Sequence, residues 1–351
     1  MVKIDTVRAL NAALVRKQPL VAVFFGGTGG IGHYTLRALA TAEANGGKGF
    51  RAYIVGRNAK AAEEIIAECR GINATGQFKY IKAEDLSLIH EVDRICADII
   101  QMEEKEGQDA RIDYLMVSQG GSIFLPRKDT KEGIDFTMAL MYYSRMRAIL
   151  KLLPLLLKST LPARVISVYA AGIEAKLYPD DLSLRDLSHY SYSQARSHMV
   201  YMHTLFMETL EEQYRGKLVL VHIFPGLVPG PGFSNPELPK WFRVVWRWVF
   251  IPIFGRLATV PPNDCGARML SLASPRYPPR AIDGGAKSEG EVATGTDGTP
   301  GSGVYSLFWD GESNRNQKAY AKINKDEMKK KVWEHTMKAF EVIEAGGVFT
   351  E

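Results

Sequence analysis

Apolar runs long enough to form buried strands alternate with segments of helical periodicity along most of this chain. Such alternation is typical of α/β proteins, in which helices cover both faces of a parallel sheet. The pattern therefore predicts a doubly wound sheet. Its strands are expected at 21–25, 50–55, 78–82, 112–117, 164–168, 218–224 and 304–309.

Apolar residues spaced three and four apart predict the helices between these strands. They are expected at 33–40, 59–69, 92–100, 138–153, 191–214 and 325–345, and a charged periodic segment at 1–18 precedes the first strand. No repeat or linker divides the sequence, so we expect one domain over residues 1–351. The parallel core is expected to end near residue 228. A segment at 229–256 would then cover a substrate, and a loop at 284–303, rich in small and polar residues, would be flexible.

Composition narrows the classes of function. The formal net charge of +5 is spread along the chain without basic runs, so nothing indicates nucleic-acid binding. The three cysteines, Cys69, Cys96 and Cys265, fit neither zinc nor disulfide spacing, which indicates reduced thiols and predicts a cytoplasmic protein. No stretch has the ~18 uninterrupted apolar residues of a membrane-spanning helix. Residues 1–18 also lack the apolar core of a signal peptide.

The first strand runs directly into a cluster of glycines. Gly26, Gly30 and Gly32 follow the apolar run at 21–25 and open the amphipathic segment at 33–40. Glycines permit the positive φ angles of a sharp strand-to-helix turn and let backbone N–H groups approach a pyrophosphate at the helix N-terminus. In this context the cluster predicts a dinucleotide-binding turn of the Rossmann type.

Residues at the ends of the next strands indicate which dinucleotide binds. Arg57 follows the second strand, where an acidic residue favours NAD and an arginine accommodates the 2′-phosphate of NADP(H). Asp85 follows the third strand and can accept a hydrogen bond from the adenine amino group or cap the next helix. Small residues at 118–121 let the backbone line the cofactor cleft. The expected cofactor is therefore NADP(H).

An aromatic segment follows the sixth strand. Three interpretations stay open: an aromatic helix packed on the core, a cover over a large apolar substrate, and a helix at 240–254 in shallow contact with a membrane surface. The expected partner is a bulky apolar small molecule, and the sequence leaves a homo-oligomer open. The aromatic and basic residues of the segment are Lys240, Trp241, Phe242, Arg243, Trp246, Arg247, Trp248, Phe250 and Phe254.

Four short stretches carry a resemblance to a known family. They are the glycine turn at 26–32, Gly56-Arg57, Asp85-Leu86 and Pro225-Gly226-Leu227-Val228. In this order and spacing they resemble the short-chain dehydrogenase/reductase family, over about residues 21–228. The C-terminal part, with the stretch 309–312, is similar to fungal members from natural-product pathways.

The resemblance implies both a fold and a set of cofactor-binding residues. The fold is a single α/β domain, a Rossmann-type doubly wound parallel sheet with helices on both faces, here with a C-terminal extension. The pyrophosphate, the 2′-phosphate, the adenine and the nicotinamide carboxamide would be held along the strand ends. The implied cofactor-binding residues are Gly26, Thr28, Gly30, Ile31, Gly32, Arg57, Asn58, Asp85, Leu86, Ser118, Gly120 and Val228.

Three of the four catalytic residues that the resemblance implies are replaced in this chain. The resemblance implies a tyrosine acid, a lysine four residues later that lowers the tyrosine pKa and holds the ribose, a serine that orients the carbonyl, and an asparagine in a proton relay. Here alanine stands at the expected serine position within 168–171, and Met141 stands at the asparagine position. No lysine occurs between Lys176 and Lys217. Phe25 replaces the hydroxyl residue that opens the glycine motif.

The candidate catalytic residues are therefore Tyr190, Tyr192, Arg196 and His189. The family register pairs Tyr190 with Gln194, whereas a shift of two residues pairs Tyr192 with Arg196 and restores a cation one helical turn from a phenol. A cation there lowers the tyrosine pKa, although arginine does not itself pass a proton. His189 adjoins Tyr190. Further polar residues could act as acids or orient a carbonyl, with a structural role as the simpler interpretation of each: Ser167, Tyr169, Ser193, His198 and His203.

Three functions are compatible with these residues. The first is an oxidoreductase of secondary metabolism that uses NADPH to reduce a bulky apolar carbonyl or enone with a tyrosine acid. The second is a non-redox cyclase or isomerase that keeps the nucleotide as a structural or electrostatic element, since orienting and desolvating a reactive intermediate does not require the lost residues. The third is a nucleotide-binding protein without catalysis.

Overall fold

The computed structural model describes residues 1–121, 126–230, 232, 238, 240–246, 248, 258–282 and 291–351. Within these ranges seven parallel strands form one sheet in the order β3-β2-β1-β4-β5-β6-β7. The predicted doubly wound α/β fold is confirmed. The strands are β1 (Leu20–Phe25), β2 (Phe50–Gly56), β3 (Gln77–Lys82), β4 (Tyr114–Val117), β5 (Ala163–Val168), β6 (Leu218–Ile223) and β7 (Val304–Leu307).

Helices lie between successive strands and cover both faces of the sheet. Their bounds agree closely with the periodic segments of the sequence, and a π-helical turn at Ala139–Tyr143 joins α5 to α6. The helices are α1 (Ile4–Val15), α2 (Gly30–Ala44), α3 (Ala59–Ile72), α4 (Ile89–Glu104), α5 (Phe136–Met138), α6 (Ser144–Leu156), α7 (Tyr192–Gln213), α8 (Lys240–Val245), α9 (Pro262–Ser271), α10 (Gln317–Tyr320) and α11 (Lys325–Glu344).

The central strands are mostly apolar because both faces of the sheet are covered, whereas the edge strand β3 alternates polar and apolar residues. β1, β5 and β6 are buried at every residue, as expected for parallel strands between two helix layers. Successive residues point to opposite faces. Val23 therefore joins the core under α4, α6, α7 and α11, which includes Leu152. Phe24 joins the core under α1, α2, α3 and α9, which includes Leu36.

Two parts of the fold differ from the sequence prediction. β7 pairs in parallel with β6, so the prediction that the parallel core ends near residue 228 is wrong. The pairing joins segments about 80 residues apart, which local periodicity does not show. The apolar pattern also does not predict α9, where Gly266 and Arg268 interrupt the periodicity. Gly266 is required there because a Cβ would overlap with the Tyr34 carbonyl of α2.

Several predicted features of the C-terminal part fall wholly or partly outside the described residues. The loop predicted at 284–303 is described from residue 291 onward, where Thr294 and Pro300 form an isolated bridge. Arg247, Phe250 and Phe254 of the aromatic segment lie outside the described residues. A flexible loop at 284–303 and a substrate-covering segment at 229–256 therefore remain predictions.

The three cysteines are free, as predicted, and the structure shows that they are buried. Burial raises the pKa of the Cys69 and Cys265 thiols to about 12, so both are protonated at neutral pH. Among the helices that the structure describes, none is long and apolar enough to cross a membrane.

Candidate active site

The predicted cofactor residues gather at the carboxyl ends of the strands, on both sides of β1. The chain proceeds outward from β1 to β2 and β3 and then returns to β4 on the other side of β1. In open α/β sheets, ligands bind outside the carboxyl ends of the strands where the strand order reverses in this way. The site is therefore centred where the glycine turn after β1 meets the end of β4.

Backbone geometry requires glycine at two positions of this turn. Gly26 has a φ of +83°, and a Cβ on it would lie 2.8 Å from the backbone nitrogen of Gln119 beyond β4. A Cβ on Gly32 would lie 2.5 Å from the carbonyl oxygen of Gly26, so the first turn of α2 packs directly on the loop. Gly30 opens α2 with a φ of +53°. The first N–H groups of such a helix favour an anion.

The end of β2 is shaped to receive Thr28. A Cβ on Gly56 would overlap with the Thr28 side chain, which therefore sits directly on the β2 backbone. Asn58 caps α3, and its side chain accepts a hydrogen bond from the Ala61 backbone N–H at 3.1 Å. Arg57, which lies between Gly56 and Asn58 in the sequence, is exposed. Asn58 thus has a structural role, and Arg57 is the charged side chain at this strand end.

Asp85, beyond β3, binds its own turn. Its Oδ1 accepts hydrogen bonds from the Ser87 backbone N–H at 2.9 Å and from the Ser87 hydroxyl at 2.7 Å. These bonds close a turn before α4, whose N-cap residue is Leu88 without a side-chain cap, so Asp85 does not cap the next helix. Leu86 is buried in the core beneath the turn. Asp85 itself stays partly exposed, so contact with an adenine is compatible with the geometry.

The ends of β1 and β4 are joined through Ser118. Its backbone N–H and its hydroxyl both donate to the Phe25 carbonyl, at 2.9 and 3.0 Å. The Phe25 side chain, which replaces a hydroxyl residue of the family motif, is fully buried in the core. Among the described residues, the atom nearest to an added Cβ on Gly120 is Met141 Cε, 4.0 Å away.

On the other side of the site, the chain leaves β6 through a tight turn. Gly226 has a φ of +72°, and Val228 shortly after it is buried. The Tyr34 hydroxyl of α2 donates to the Pro229 carbonyl at 2.9 Å. The helix that begins at the glycine turn is therefore tied directly to the segment after β6.

Tyr190 precedes α7 and points at a carboxylate. Its hydroxyl donates to Asp135, whose two carboxylate oxygens lie 3.3 and 3.4 Å away. Asp135 is buried and caps α5 by accepting a hydrogen bond from the Met138 backbone N–H at 3.1 Å. Burial, and then the charge of Asp135, raise the pKa of Tyr190. A phenol in this environment holds its proton more tightly than a tyrosine in water.

Tyr192 and Arg196 lie one turn apart at the start of α7. Ser191 caps the helix by accepting a hydrogen bond from the Gln194 backbone N–H at 3.1 Å, so Tyr192 is the first residue of α7. The Arg196 guanidinium carbon lies 5.9 Å from the centroid of the Phe224 ring, directly beyond β6. Burial raises the pKa of Tyr192, and the charge of Arg196 lowers it. Here a phenol has a cation rather than a carboxylate beside it.

A third tyrosine, Tyr169, follows β5 and packs along α7. Its ring stacks on His203 at a centroid distance of 5.3 Å, and its hydroxyl lies 3.8 Å from the Met199 sulfur. Tyr192, Arg196, Met199 and His203 recur every three or four residues and so form one stripe of α7. The Tyr169 ring lies at His203 and its hydroxyl at Met199, so the side chain points along this stripe toward the start of α7. Burial, and then Tyr192, raise the pKa of Tyr169, whereas the charge of Arg196 lowers it.

Arg145 of α6 is buried behind Tyr169. Its guanidinium donates to the Val168 carbonyl at 2.7 Å, to the Ser167 hydroxyl at 3.1 Å and to the Gln119 carbonyl. Its Cζ lies 5.5 Å from the centroid of the Tyr169 ring. Burial lowers the pKa of Arg145 to about 10, so the group is charged at neutral pH. Arg145 thus joins the ends of β4 and β5 through a buried cation.

The histidines near the site have other partners or are neutral. His189 Nδ1 lies 2.8 Å from Asp181, and its ring stacks on Tyr178 at 3.8 Å. His198 Nε2 accepts a hydrogen bond from the Tyr178 backbone N–H at 2.9 Å, and burial lowers the His198 pKa to about 4. Burial lowers the pKa of His222, on β6, to about 3. The carboxylate partner of His189 has no signal in the sequence.

Two residues of this region were not identified from the sequence, Arg145 and Asp135. Arg145 carries a usable signal, since it lies three residues after Tyr142 and four before Ile149 on the apolar stripe of its helix. Asp135 lies 55 residues from Tyr190, and no local pattern connects them. Met141, at the asparagine position of the family, lies inside the π-helical turn.

Comparison with known proteins identifies the family. No family model matches the chain. A short-chain dehydrogenase/reductase of Stachybotrys chartarum is 38% identical over 357 residues, which cover 98% of each chain. An oxidoreductase of Emericella nidulans is 37% identical over 342 residues, which cover 96% of this chain and 97% of that one. The solved structure of L-sorbose reductase from Gluconobacter frateurii, complexed with NADPH and L-sorbose, superposes with a TM-score of 0.53 at 15% identity, over 74% of this chain and 91% of the reductase.

The chain belongs to the short-chain dehydrogenase/reductase family, and its class is that of an oxidoreductase. The resemblance found in the sequence is thereby confirmed. At 15% identity the superposition with the sorbose reductase shows a likeness of fold.

Proposed function

We propose that this protein is an NADP(H)-dependent oxidoreductase that reduces a bulky apolar carbonyl or enone in a fungal secondary-metabolite pathway. The observation that carries the proposal is that the glycine turn and the Tyr192–Arg196 pair lie at the same edge of one parallel sheet. Reduction of a carbonyl leaves an alkoxide that must receive a proton from an acid within hydrogen-bond reach. The two fungal relatives of the oxidoreductase class support this assignment.

The residues of the glycine turn fit a dinucleotide phosphate. Gly26 and Gly32 let the loop and the first turn of α2 pack closely, and the first N–H groups of α2, which have no partner within the helix, would bind a pyrophosphate. Arg57 would bind the 2′-phosphate through its planar guanidinium. Asp85 would contact the adenine, and the Val228 backbone would contact the nicotinamide carboxamide. NADPH, when bound, supplies the hydride that reduces the carbonyl carbon.

We assign proton donation to the Tyr192 phenol. Burial raises the Tyr192 pKa overall, and the Arg196 charge offsets part of this rise by favouring the phenolate, which eases release of the proton to the substrate oxygen. Arg196 stays charged throughout, so it acts electrostatically and does not relay the proton. Tyr190 is the less suitable donor, because the Asp135 carboxylate raises its pKa.

The substrate class follows from the segment beyond β6. Trp241, Val244, Val245 and Trp248 are spaced as one face of a helix, and their exposed fractions are 45 to 69%. An exposed apolar face of this kind marks a binding surface, and a bulky apolar substrate is the occupant that we propose. A membrane surface is the alternative occupant. Binding of this face to a membrane would be detected by sedimentation of the protein with vesicles of phosphatidylcholine and phosphatidylserine.

The test is oxidation of NADPH by the purified full chain, with 9,10-phenanthrenequinone, 1-decalone and chalcone as probes and mass spectrometry of the products. We expect loss of NADPH absorbance and a product heavier by two hydrogens. A product of equal mass would indicate the isomerase instead. Tight binding of NADPH without its consumption by any probe would indicate a nucleotide-binding protein without catalysis.

A further inference from the structure

Tyr169 stands next to the position where the serine of the family is missing. It directly precedes Ala170, which is buried, and it follows β5 at the edge of the site. Three elements hold its ring. Arg145 of α6 lies 5.5 Å from its centroid, His203 of α7 stacks at 5.3 Å, and His222 of β6 lies at 6.2 Å with an interplanar angle of 12°. A side chain packed by three elements is fixed in one orientation.

The hydroxyl of Tyr169 faces the start of α7. Its neighbour there is the Met199 sulfur at 3.8 Å, and a thioether is only a weak acceptor. Arg196 lies about one helical turn before Met199, and Tyr192 about one turn before Arg196. Tyr169 is partly exposed, whereas the residues behind its ring are buried. The hydroxyl is therefore directed toward the end of α7 that carries the proposed proton donor.

The charge of Arg145 has neutral partners in the part of the chain that the structure describes. The guanidinium binds the carbonyls of Gln119 and Val168 and the hydroxyl of Ser167. Burial keeps the pKa of the adjacent His222 near 3, so that ring is neutral. A buried cation without a carboxylate is costly unless negative charge is close by. Such charge develops at the substrate oxygen during carbonyl reduction.

We propose that Tyr169 replaces the missing serine as a hydrogen-bond donor to the substrate oxygen, and that Arg145 is the positioning residue that holds Tyr169 and strengthens its donation. The inference rests on the proposed function, since it assigns a second donor to the oxygen that Tyr192 protonates. A hydrogen bond of this kind strengthens as the alkoxide charge grows. The Tyr169 proton stays on its own oxygen, so only Tyr192 changes its protonation state.

The first experiment removes the Tyr169 hydroxyl. In Tyr169→Phe we expect kcat for 9,10-phenanthrenequinone to fall about 100-fold, as on removal of a donor to an oxyanion. The Kd for NADPH, measured by quenching of tryptophan fluorescence, should stay unchanged because the glycine turn is intact. Tyr277→Phe is the matched control, since its buried hydroxyl donates to the Gly311 carbonyl at 2.9 Å, away from the site. A wild-type kcat in Tyr169→Phe would overturn the inference.

The second experiment tests Arg145. Without its charge the pKa of a nearby phenol rises, so in Arg145→Met we expect a lower kcat and a high-pH limb of kcat displaced to higher pH. Arg145→Lys keeps the charge and should retain the wild-type limb with part of the activity. Circular dichroism establishes that each variant is folded. If the high-pH limb of kcat is unchanged in folded Arg145→Met, or displaced in Arg145→Lys, Arg145 does not act as a positioning residue. The other titratable or charged groups that face Tyr169 are Tyr190, Tyr192, Arg196, His203 and His222.

The two proposals can fail separately. If Tyr192→Phe abolishes NADPH oxidation and Tyr169→Phe leaves it intact, the proposed function stands and the role of Tyr169 falls. If the wild-type protein oxidises NADPH with none of the probes, the proposed function falls, and the role of Tyr169 falls with it.

Discussion

The two halves of the candidate site are built from different chemical groups. Around β1 and β2 the site consists of backbone, and its key positions are defined by the lack of a side chain at Gly26 and Gly32. Beyond β5 and β6 it consists of side chains packed in the core, with Arg145 and Tyr169 at its centre. A backbone cradle needs only glycines and a helix start, whereas a catalytic half depends on the identity of each side chain. We therefore expect replacement of family residues to be concentrated in the second half.

The histidines have two kinds of surroundings. His33 and His90 lie 2.8 and 2.7 Å from carboxylates of Glu68 and Glu132, and His189 lies 2.8 Å from Asp181. The buried ring of His222 instead sits among neutral groups and Arg145, and burial followed by that charge lowers its pKa. This ring of the second half therefore stays uncharged in the folded protein as the pH falls below the usual histidine range.

The largest expected effect separates the halves by function. Tyr192→Phe should lower the rate of NADPH oxidation about 10²- to 10⁴-fold, the range for loss of a general acid. The Kd for NADPH should not change, because the phenol lies outside the glycine turn. Stopped-flow absorbance gives the rate and fluorescence titration gives the Kd. Equal loss of rate and of NADPH binding would show that the halves are not separable.

A backbone substitution should break the first half. Gly26→Ala forces a side chain into a left-handed conformation 2.8 Å from the Gln119 backbone nitrogen. We expect the free energy of unfolding to fall by about 2–4 kcal/mol, together with loss of NADPH binding. Gly71→Ala is the matched control, since an added Cβ has open space on α3 and should stabilise the helix by about 0.5–1 kcal/mol. Urea denaturation measures both, and equal effects would contradict the assignment.

Selectivity between the two nicotinamide dinucleotides tests Arg57. Loss of a charge-assisted contact to the 2′-phosphate should raise the Kd for NADPH about 10- to 100-fold in Arg57→Ala. The Kd for NADH should stay the same. Arg70→Ala, an exposed arginine farther along α3, serves as the control for the loss of one positive charge. A parallel rise for NADH would move the phosphate contact away from Arg57.

The smallest expected effect concerns pH and the stability of the second half. His222 has a folded pKa of about 3, below its usual 6.5, so between these values the unfolded chain binds a proton that the folded protein does not. Unfolding free energy should therefore fall as the pH drops below 6.5. His222→Gln should reduce this slope by about 1.4 kcal/mol per pH unit. Urea titrations between neutral pH and pH 5 measure the slope, and an unchanged slope would contradict the burial of a neutral ring.

Much of the fold was predictable because the central strands β1, β5 and β6 are buried at every residue and form nearly unbroken apolar runs in the sequence. The limits of β2, β5 and β6 agree with the sequence to within a residue or so. α9 was not predictable, because Gly266 is required by its close approach to the Tyr34 carbonyl of α2. This contact is visible only in the three-dimensional structure. The parallel pairing of β7 is likewise a long-range contact.

The site was predictable where a position depends on local geometry. The spacing of Tyr192 and Arg196 indicates a phenol and a cation on one face of a helix, and the structure places them so. The choice between Tyr190 and Tyr192 depends on Asp135, which comes from a distant part of the chain. The proposed role of Tyr169 depends on a buried arginine that donates to the Ser167 hydroxyl and the Val168 carbonyl of β5 and to the Gln119 carbonyl beyond β4.

The π-helical turn at Ala139–Tyr143 limits how this chain can change in length. A π turn contains one residue more than an α-helical turn would. Deletion of one residue there would restore α-helical bonding and rotate Asp135 by about 100° relative to Arg145. Either Asp135 would then no longer contact Tyr190, or Arg145 would no longer lie against the Tyr169 ring. A one-residue deletion that a surface loop absorbs would thus misalign the catalytic half if it fell within these five residues.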